Sequence, residues 1–95
     1  MFKELNPLLH SELRLGVTSI LISVESADFT YIRKATGATA GNLSVQLEKL
    51  SQAGYIVIEK GFNGKTPRTT CRITKEGVNA FREYVEALQT YIAKK

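Results

Sequence analysis

The 95-residue chain contains one cysteine, one histidine and no tryptophan. The lone Cys71 excludes an intramolecular disulfide framework and fits a reducing compartment. Cys71 and His10 lie far apart in sequence and no paired-cysteine motif accompanies them, so no metal site is expected. A redox relay also lacks parts: an oxidised Cys71 has no second cysteine to resolve it, and strand spacing turns it inward with Ile73 as a small buried residue. His10, without companions, reads as a helix-surface or packing residue. Long apolar runs are missing too. Leu15 to Val24 is interrupted by Gly16, Thr18, Ser19 and Ser23, too short and polar for a membrane span or signal-peptide core, so no membrane partner is expected and the expected location is cytoplasmic. Repeats, low-complexity stretches and linkers are absent. There is no convergent acid–base pair, activated nucleophile or phosphate-cradling glycine loop; the chain is not expected to be an enzyme or to need a cofactor.

What is present fits one compact unit. Residues 1–95 read as a single domain with no room for a separate ligand-binding or catalytic domain. The 43% hydrophobic and 23% charged residues are ordinary for a globular chain. The net charge of +4 is unevenly distributed. Between Thr30 and Arg72 stand seven basic residues (Arg33, Lys34, Lys49, Lys60, Lys65, Arg68, Arg72) and two acidic ones (Glu48, Glu59), whereas the rest of the chain has six basic and seven acidic groups. All the excess positive charge therefore lies mid-sequence, where it can attract a polyanion or simply form a solvated basic face.

Asn6 and Pro7 suit the start of a helix, and Leu9, Leu13, Val17, Ile20, Leu21 and Val24 recur at helical spacing, predicting a first helix to about Val24. Ala27 to Phe29 reads as a very short strand. Thr30 is the predicted cap of a second helix, Tyr31 to Thr36, with Ile32 and Ala35 inward and Gly37 ending it. Only Ala38 separates Gly37 from the next cap, Thr39, which makes a tight helix-turn-helix connection. The third helix, Ala40 to Ala53, anchors through Leu43, Leu47 and Leu50. Its outer faces hold Gly41, Asn42, Ser44, Val45, Gln46, Lys49 and Gln52, mostly short polar groups suited to hydrogen-bonding base edges or phosphates.

Tyr55 to Lys60 and Thr69 to Ile73 read as two strands, with Gly61 to Pro67 as the loop and Asn63-Gly64 as its turn signal. Lys65 and Arg68 lie at the tip without an acid. Thr74 then caps a long helix from Lys75 to about Ala93. Val78, Phe81, Val85, Leu88 and Ile92 follow the spacing of helices that pack along a partner, and Tyr84 and Tyr91 widen the stripe. The expected fold class is α+β: a three-helix core, a two- to three-stranded wing hairpin and a long C-terminal helix for dimerisation, its interface formed by Phe81, Tyr84, Val85, Leu88, Tyr91 and Ile92.

The segments Leu8 to Leu15 (LLHSELRL), Asp28 to Tyr31 (DFTY), Gly41 to Tyr55 (GNLSVQLEKLSQAGY), Lys65 to Arg72 (KTPRTTCR) and Ile73 to Phe81 (ITKEGVNAF) carry a family likeness. Together they resemble the small stand-alone winged helix-turn-helix transcriptional regulators related to the MarR and ArsR families. That resemblance implies that Thr39, Asn42, Ser44, Val45 and Gln46 enter or flank the major groove of double-stranded DNA, with Lys49 toward the backbone and Lys65 and Arg68 on phosphates or the minor groove. Asn42 or Gln46 would suit adenine and Val45 a thymine methyl group. The implied function is repression at a palindromic operator by a homodimer; no effector ligand is identifiable. The alternative reading is a winged helix used for protein interaction, against which the charge map argues.

Overall fold

A computed structural model describes residues 1–92. The elements run α1 (Glu12–Ile22), β1 (Ala27–Asp28), α2 (Phe29–Thr36), α3 (Ala40–Gln52), β2 (Ile56–Asn63), β3 (Thr66–Ile73) and α4 (Lys75–Ile92). The strands form an antiparallel sheet in the order β1-β3-β2. This is the α+β winged helix-turn-helix architecture expected from the sequence. Leu9, Val17, Leu21, Ile32, Leu43, Leu47, Leu50, Ile56 and Cys71 are all at most 2% exposed and form its core. Each buried aliphatic side chain of this size contributes about 1.5–3 kcal/mol.

The N-terminal segment departs from the predicted single helix. The Asn6 Oδ1 does accept hydrogen bonds, from the Leu8 N–H at 2.9 Å and the Leu9 N–H at 3.4 Å, but it caps one turn only. Ser11 is extended, with φ −150°, and α1 opens after it at Glu12. The break lets Leu9 drop into the core while the Asn6 Nδ2 donates to the Tyr55 hydroxyl at 2.9 Å. At its other end α1 stops at Ile22, so Val24, expected inward, is 40% exposed.

The second helix starts earlier than Thr30 suggests. Asp28 is its cap, with Oδ1 accepting from the Tyr31 N–H at 2.8 Å, and Phe29 opens the helix instead of extending the strand. One residue thus does two jobs, since Asp28 also pairs with Thr70 of β3. Ala35, predicted inward, is exposed. Gly37 ends α2 in the left-handed region at φ 74°, which a glycine adopts without steric cost. The chain then turns directly into Thr39, whose hydroxyl accepts from the Asn42 N–H at 3.1 Å and caps α3.

The hairpin is longer and tighter than the predicted loop from Gly61 to Pro67. Both strands continue through that stretch until Asn63 faces Thr66, leaving Gly64 and Lys65 as a two-residue turn. Gly64, at the first central position, has φ 69°, as a type II′ turn requires. Pro67 pairs with Phe62 one rung beyond the closing pair Asn63–Thr66. Rungs alternate between hydrogen-bonded and non-hydrogen-bonded pairs, so the proline's missing N–H faces the outer edge of β3, past the end of β1.

Helix α4 packs through small residues. Gly77, Ala80, Tyr84 and Ala87 form its buried face, while the predicted stripe of Val78, Phe81, Val85 and Leu88 lies beside it, half-buried, and Ile92 is 62% exposed. Ala93 lies outside the described residues. Thr74 caps α4 by accepting from the Gly77 N–H at 3.0 Å, and its hydroxyl donates to the Gly54 carbonyl at 2.6 Å. At Gly77 the helix passes so close to the end of α3 that a Cβ would stand 2.2 Å from the Tyr55 carbonyl oxygen and 2.7 Å from the Ile73 Cγ1. Gly77→Ala is therefore expected to cost about 2–3 kcal/mol of unfolding free energy. Gly61→Ala, where a Cβ meets nothing within 4 Å, is expected to be neutral or stabilising. Urea unfolding followed by circular dichroism checks both; equal midpoints for the two variants would show that α4 can shift to admit a side chain.

Candidate nucleic-acid interface

Helix α3 turns Leu43, Leu47 and Leu50 into the core, and the residues expected to contact a ligand separate around its remaining circumference. Val45, 51% exposed, is near the centre of the outer face. Asn42, Gln46 and Lys49 follow each other at helical spacing on the flank toward α1, with Asn42 and Lys49 exposed. Gln46 is only half-exposed because its Oε1 accepts a hydrogen bond from Arg14 Nη1, while its Nε2 donates to Asn42 Oδ1 at 3.0 Å. Ser44 lies on the opposite flank, toward the sheet. At the start of the helix, Thr39 leaves the first backbone N–H groups facing outward, a partial positive charge suited to an anion.

Between α3 and the hairpin runs an open cleft of about 670 Å³, lined by Ser44, Glu48 and Ser51 from the helix and Ile58, Lys60 and Thr69 from the strands. Strand alternation explains which wing residues reach it. Ile58, Lys60 and Phe62 share one face of β2, opposite Cys71, Thr69 and Pro67 of β3. Arg68, Thr70 and Arg72 occupy the other face. The structure thus places Lys60 beside α3 and Arg68 away from it, where Arg68 Nη2 lies 3.6 Å from Asp28 Oδ2. Lys65 stands exposed in the turn, and Phe62 beside it is 74% exposed. Ser51 and Thr69 were not singled out from sequence. The two-residue alternation that marks Cys71 as inward extends to Thr69 and was the available signal.

Residues 13–92 match the profile of the winged helix DNA-binding domain family. The chain belongs to that family. An uncharacterized protein from Methanocaldococcus jannaschii is 31% identical to this winged helix protein over 81 residues, which are 84% of this chain and 88% of the relative. A transcriptional regulator homologue protein from Pyrococcus horikoshii OT3 has the same structure with a TM-score of 0.85 at 28% identity, over 92% of this chain and 86% of that one. A MarR family transcriptional regulator from Silicibacter pomeroyi has a TM-score of 0.70 at 15% identity, with 88% of this chain covering 56% of that longer chain. The MarR-like fold expected from the sequence is thus present.

The six residues expected at a dimer interface of the winged helix protein are not equivalent. Tyr84 is 4% exposed and packs inside its own chain, where its hydroxyl lies 2.9 Å from His10 Nδ1. It has almost no surface to offer a second copy. Phe81, Val85 and Leu88 are half-exposed, whereas Tyr91 and Ile92 are 45% and 62% exposed. The N-terminus adds to this end of α4: Phe2 stacks on Tyr91 with ring centroids 4.7 Å apart, and the Tyr91 hydroxyl donates to the Lys3 carbonyl at 2.9 Å. Among the described residues no helix is long and apolar enough to cross a membrane, and no cluster of metal-ligating side chains occurs.

Cys71 is buried, as its strand position predicts, and burial pushes its thiol up to about 11 from an ordinary value of 9.0. The folded state therefore binds the thiol proton more tightly than the unfolded state. The stability so gained is complete below about pH 9 and is lost as pH rises toward about 11. Native protein at pH 8 is expected to react with a thiol reagent only after unfolding, and Cys71→Ala should flatten part of the alkaline loss of stability. Rapid labelling of the native protein at pH 8 would contradict the burial of this thiol.

Proposed function

We propose that the protein is a transcriptional regulator that binds double-stranded DNA as a homodimer and represses at a palindromic operator, with α3 in the major groove and the wing on the adjoining backbone or minor groove. The outer surface of α3 is the observation that carries this reading. Thr39, Asn42, Ser44, Val45 and Gln46 offer short polar and small apolar groups on an exposed helix, and its only acidic side chain is Glu48. Hydrogen bonds and methyl contacts of this size suit base edges. Lys49 and Lys65, with Lys60 across the cleft, supply cations for a duplex backbone, within the Thr30 to Arg72 segment that carries the excess positive charge.

Arg68 serves this reading despite its carboxylate neighbour. An ion pair between partly exposed groups is worth about 0–1 kcal/mol, so a phosphate can displace Asp28 at little cost. Dimerisation rests on α4. Its 18 residues span about 27 Å, and Phe81, Val85, Leu88 and Ile92 leave an apolar strip beside the face that packs on its own chain, with Tyr91 and its stacked Phe2 at the end of that face. A two-fold pair along that strip presents two α3 helices to successive major grooves about 34 Å apart. Repression follows from the resemblance to the small regulators.

Binding of a fluorescent mixed-sequence duplex is expected to fall steeply between 50 and 300 mM salt. Lys65→Ala and Arg68→Ala should each weaken binding to all sequences and reduce the slope of log affinity against log salt by about one. An unchanged slope would remove that residue from the backbone contacts, and salt-independent binding would overturn the DNA reading itself. For the dimer, Leu88→Glu should halve the mass in sedimentation without loss of helical signal. A Leu88→Glu protein that keeps the wild-type mass would place the interface elsewhere.

A further inference from the structure

We infer that Arg14 is a positioning residue that fixes the amide groups of Gln46 and Asn42 with their oxygens turned to protein donors, so that α3 reads hydrogen-bond acceptors and prefers guanine to adenine at the base these amides meet. The inference rests on the DNA reading above and deepens it. It also reverses the preference for adenine expected from residue types alone.

The chain of bonds starts at a group that can only donate. Arg14, half-buried on α1, gives its Nε–H to the Leu8 carbonyl at 2.5 Å and an Nη1–H to Gln46. A guanidinium has no acceptor, so the Gln46 amide must turn its oxygen toward α1 and its nitrogen away. That nitrogen is one helical turn from Asn42 and donates to Asn42 Oδ1 at 3.0 Å, which fixes the second amide in turn. The N-terminal cap works in the same sense: the Asn42 backbone N–H donates to Thr39 Oγ1 at 3.1 Å, which leaves the hydroxyl hydrogen of Thr39 to donate outward.

Both side-chain oxygens of the flank are therefore engaged inside the protein before any ligand arrives. Three donors remain for a base edge, the Asn42 NH2, the second hydrogen of Gln46 Nε2 and the Thr39 hydroxyl hydrogen, whereas each amide oxygen is already turned to a protein donor and keeps one of its two lone pairs. Adenine is read by an amide that accepts one hydrogen bond from the N6 amino group and gives one to N7, and here the accepting oxygens are held toward protein donors and would have to turn away from them to do so. Guanine presents two acceptors, N7 and O6, on the same edge and matches a flank held with its donors outward. Arg14 need not touch DNA for this effect.

Selection of bound duplexes from a random pool, carried out in parallel on the wild type and Arg14→Met, tests the assignment. The wild type is expected to recover guanine at one position in each half-site. In Arg14→Met the Gln46 amide is free to turn, and the guanine-to-adenine ratio at that position should fall about tenfold while the salt slope is unchanged. Arg14→Lys, which restores a donor, should recover guanine. Gln46→Met breaks the relay at its middle link, leaves the Arg14 bond to Leu8 in place and should also admit adenine through Asn42, so the test survives if Arg14→Met folds poorly. A wild-type guanine preference retained in both Arg14→Met and Gln46→Met overturns the inference, as does a salt slope lowered by about one, which makes Arg14 a phosphate contact. A DNA-free readout separates this from failure of the DNA reading: the side-chain amide resonances of Gln46 and Asn42 should both shift in free Arg14→Met, and an unmoved Asn42 signal overturns the relay whether or not the protein binds a duplex.

Discussion

The base of the hairpin, where Tyr55 meets Thr74, ties α3, the hairpin and α4 together. The Thr74 N–H donates to the Tyr55 carbonyl at 2.9 Å, and the Tyr55 N–H donates to the Leu50 carbonyl at 3.0 Å. The Thr74 hydroxyl bridges the Gly54 carbonyl and the Gly77 N–H, and the Tyr55 hydroxyl takes the Asn6 amide. The end of α3, the start of β2, the end of β3 and the start of α4 are thus joined by hydrogen bonds that buried or half-buried backbone groups would otherwise lack. The absence of a side chain at Gly77 lets them meet this closely.

That junction divides the surface by chemistry. On one side, α3 and the hairpin flank a cleft with Ser44, Lys60 and Thr69 around it, and Lys65 stands exposed in the hairpin turn beyond it. On the other, α4 uses glycine and alanine to lie close to its own chain, so its larger apolar residues are displaced to a neighbouring strip with partial exposure. A polyanion and a second copy of the chain would therefore engage different faces. Binding at one need not obstruct the other, and the rigid junction would transmit the geometry of a pair to the spacing of the two recognition helices.

Local chemistry in the sequence was enough to locate most of this. Thr39 and Thr74 cap the helices they precede, the three leucines of α3 are inward, and the parity of Cys71 and Ile73 holds in the sheet. Readings failed where a tertiary partner outweighed a local preference. Asp28 displaces Thr30 as a cap because sheet pairing with Thr70 already holds it at the helix entrance. Pro67 suggests a loop, yet its missing N–H falls on an unpaired edge and the strand continues. The turn register is offset by one from an Asn63-Gly64 pair, so Gly64 leads and Lys65 follows. In α4, hydrophobicity ranks Phe81 and Leu88 above Gly77 and Ala80, whereas close packing chose the small residues. The contact between Arg14 and Gln46 has no periodic signature, since it joins residues 32 positions apart across two helices.

If the protein binds DNA as proposed, α3 and the wing, and not α4, form the DNA face. Titrating isotope-labelled protein with a short duplex and following backbone amide shifts tests it most directly. The largest shifts are expected on Thr39 to Lys49 and Lys60 to Arg68, with Val85 to Ile92 nearly unmoved. Shifts concentrated on α4, with α3 and the hairpin unaffected, would contradict it.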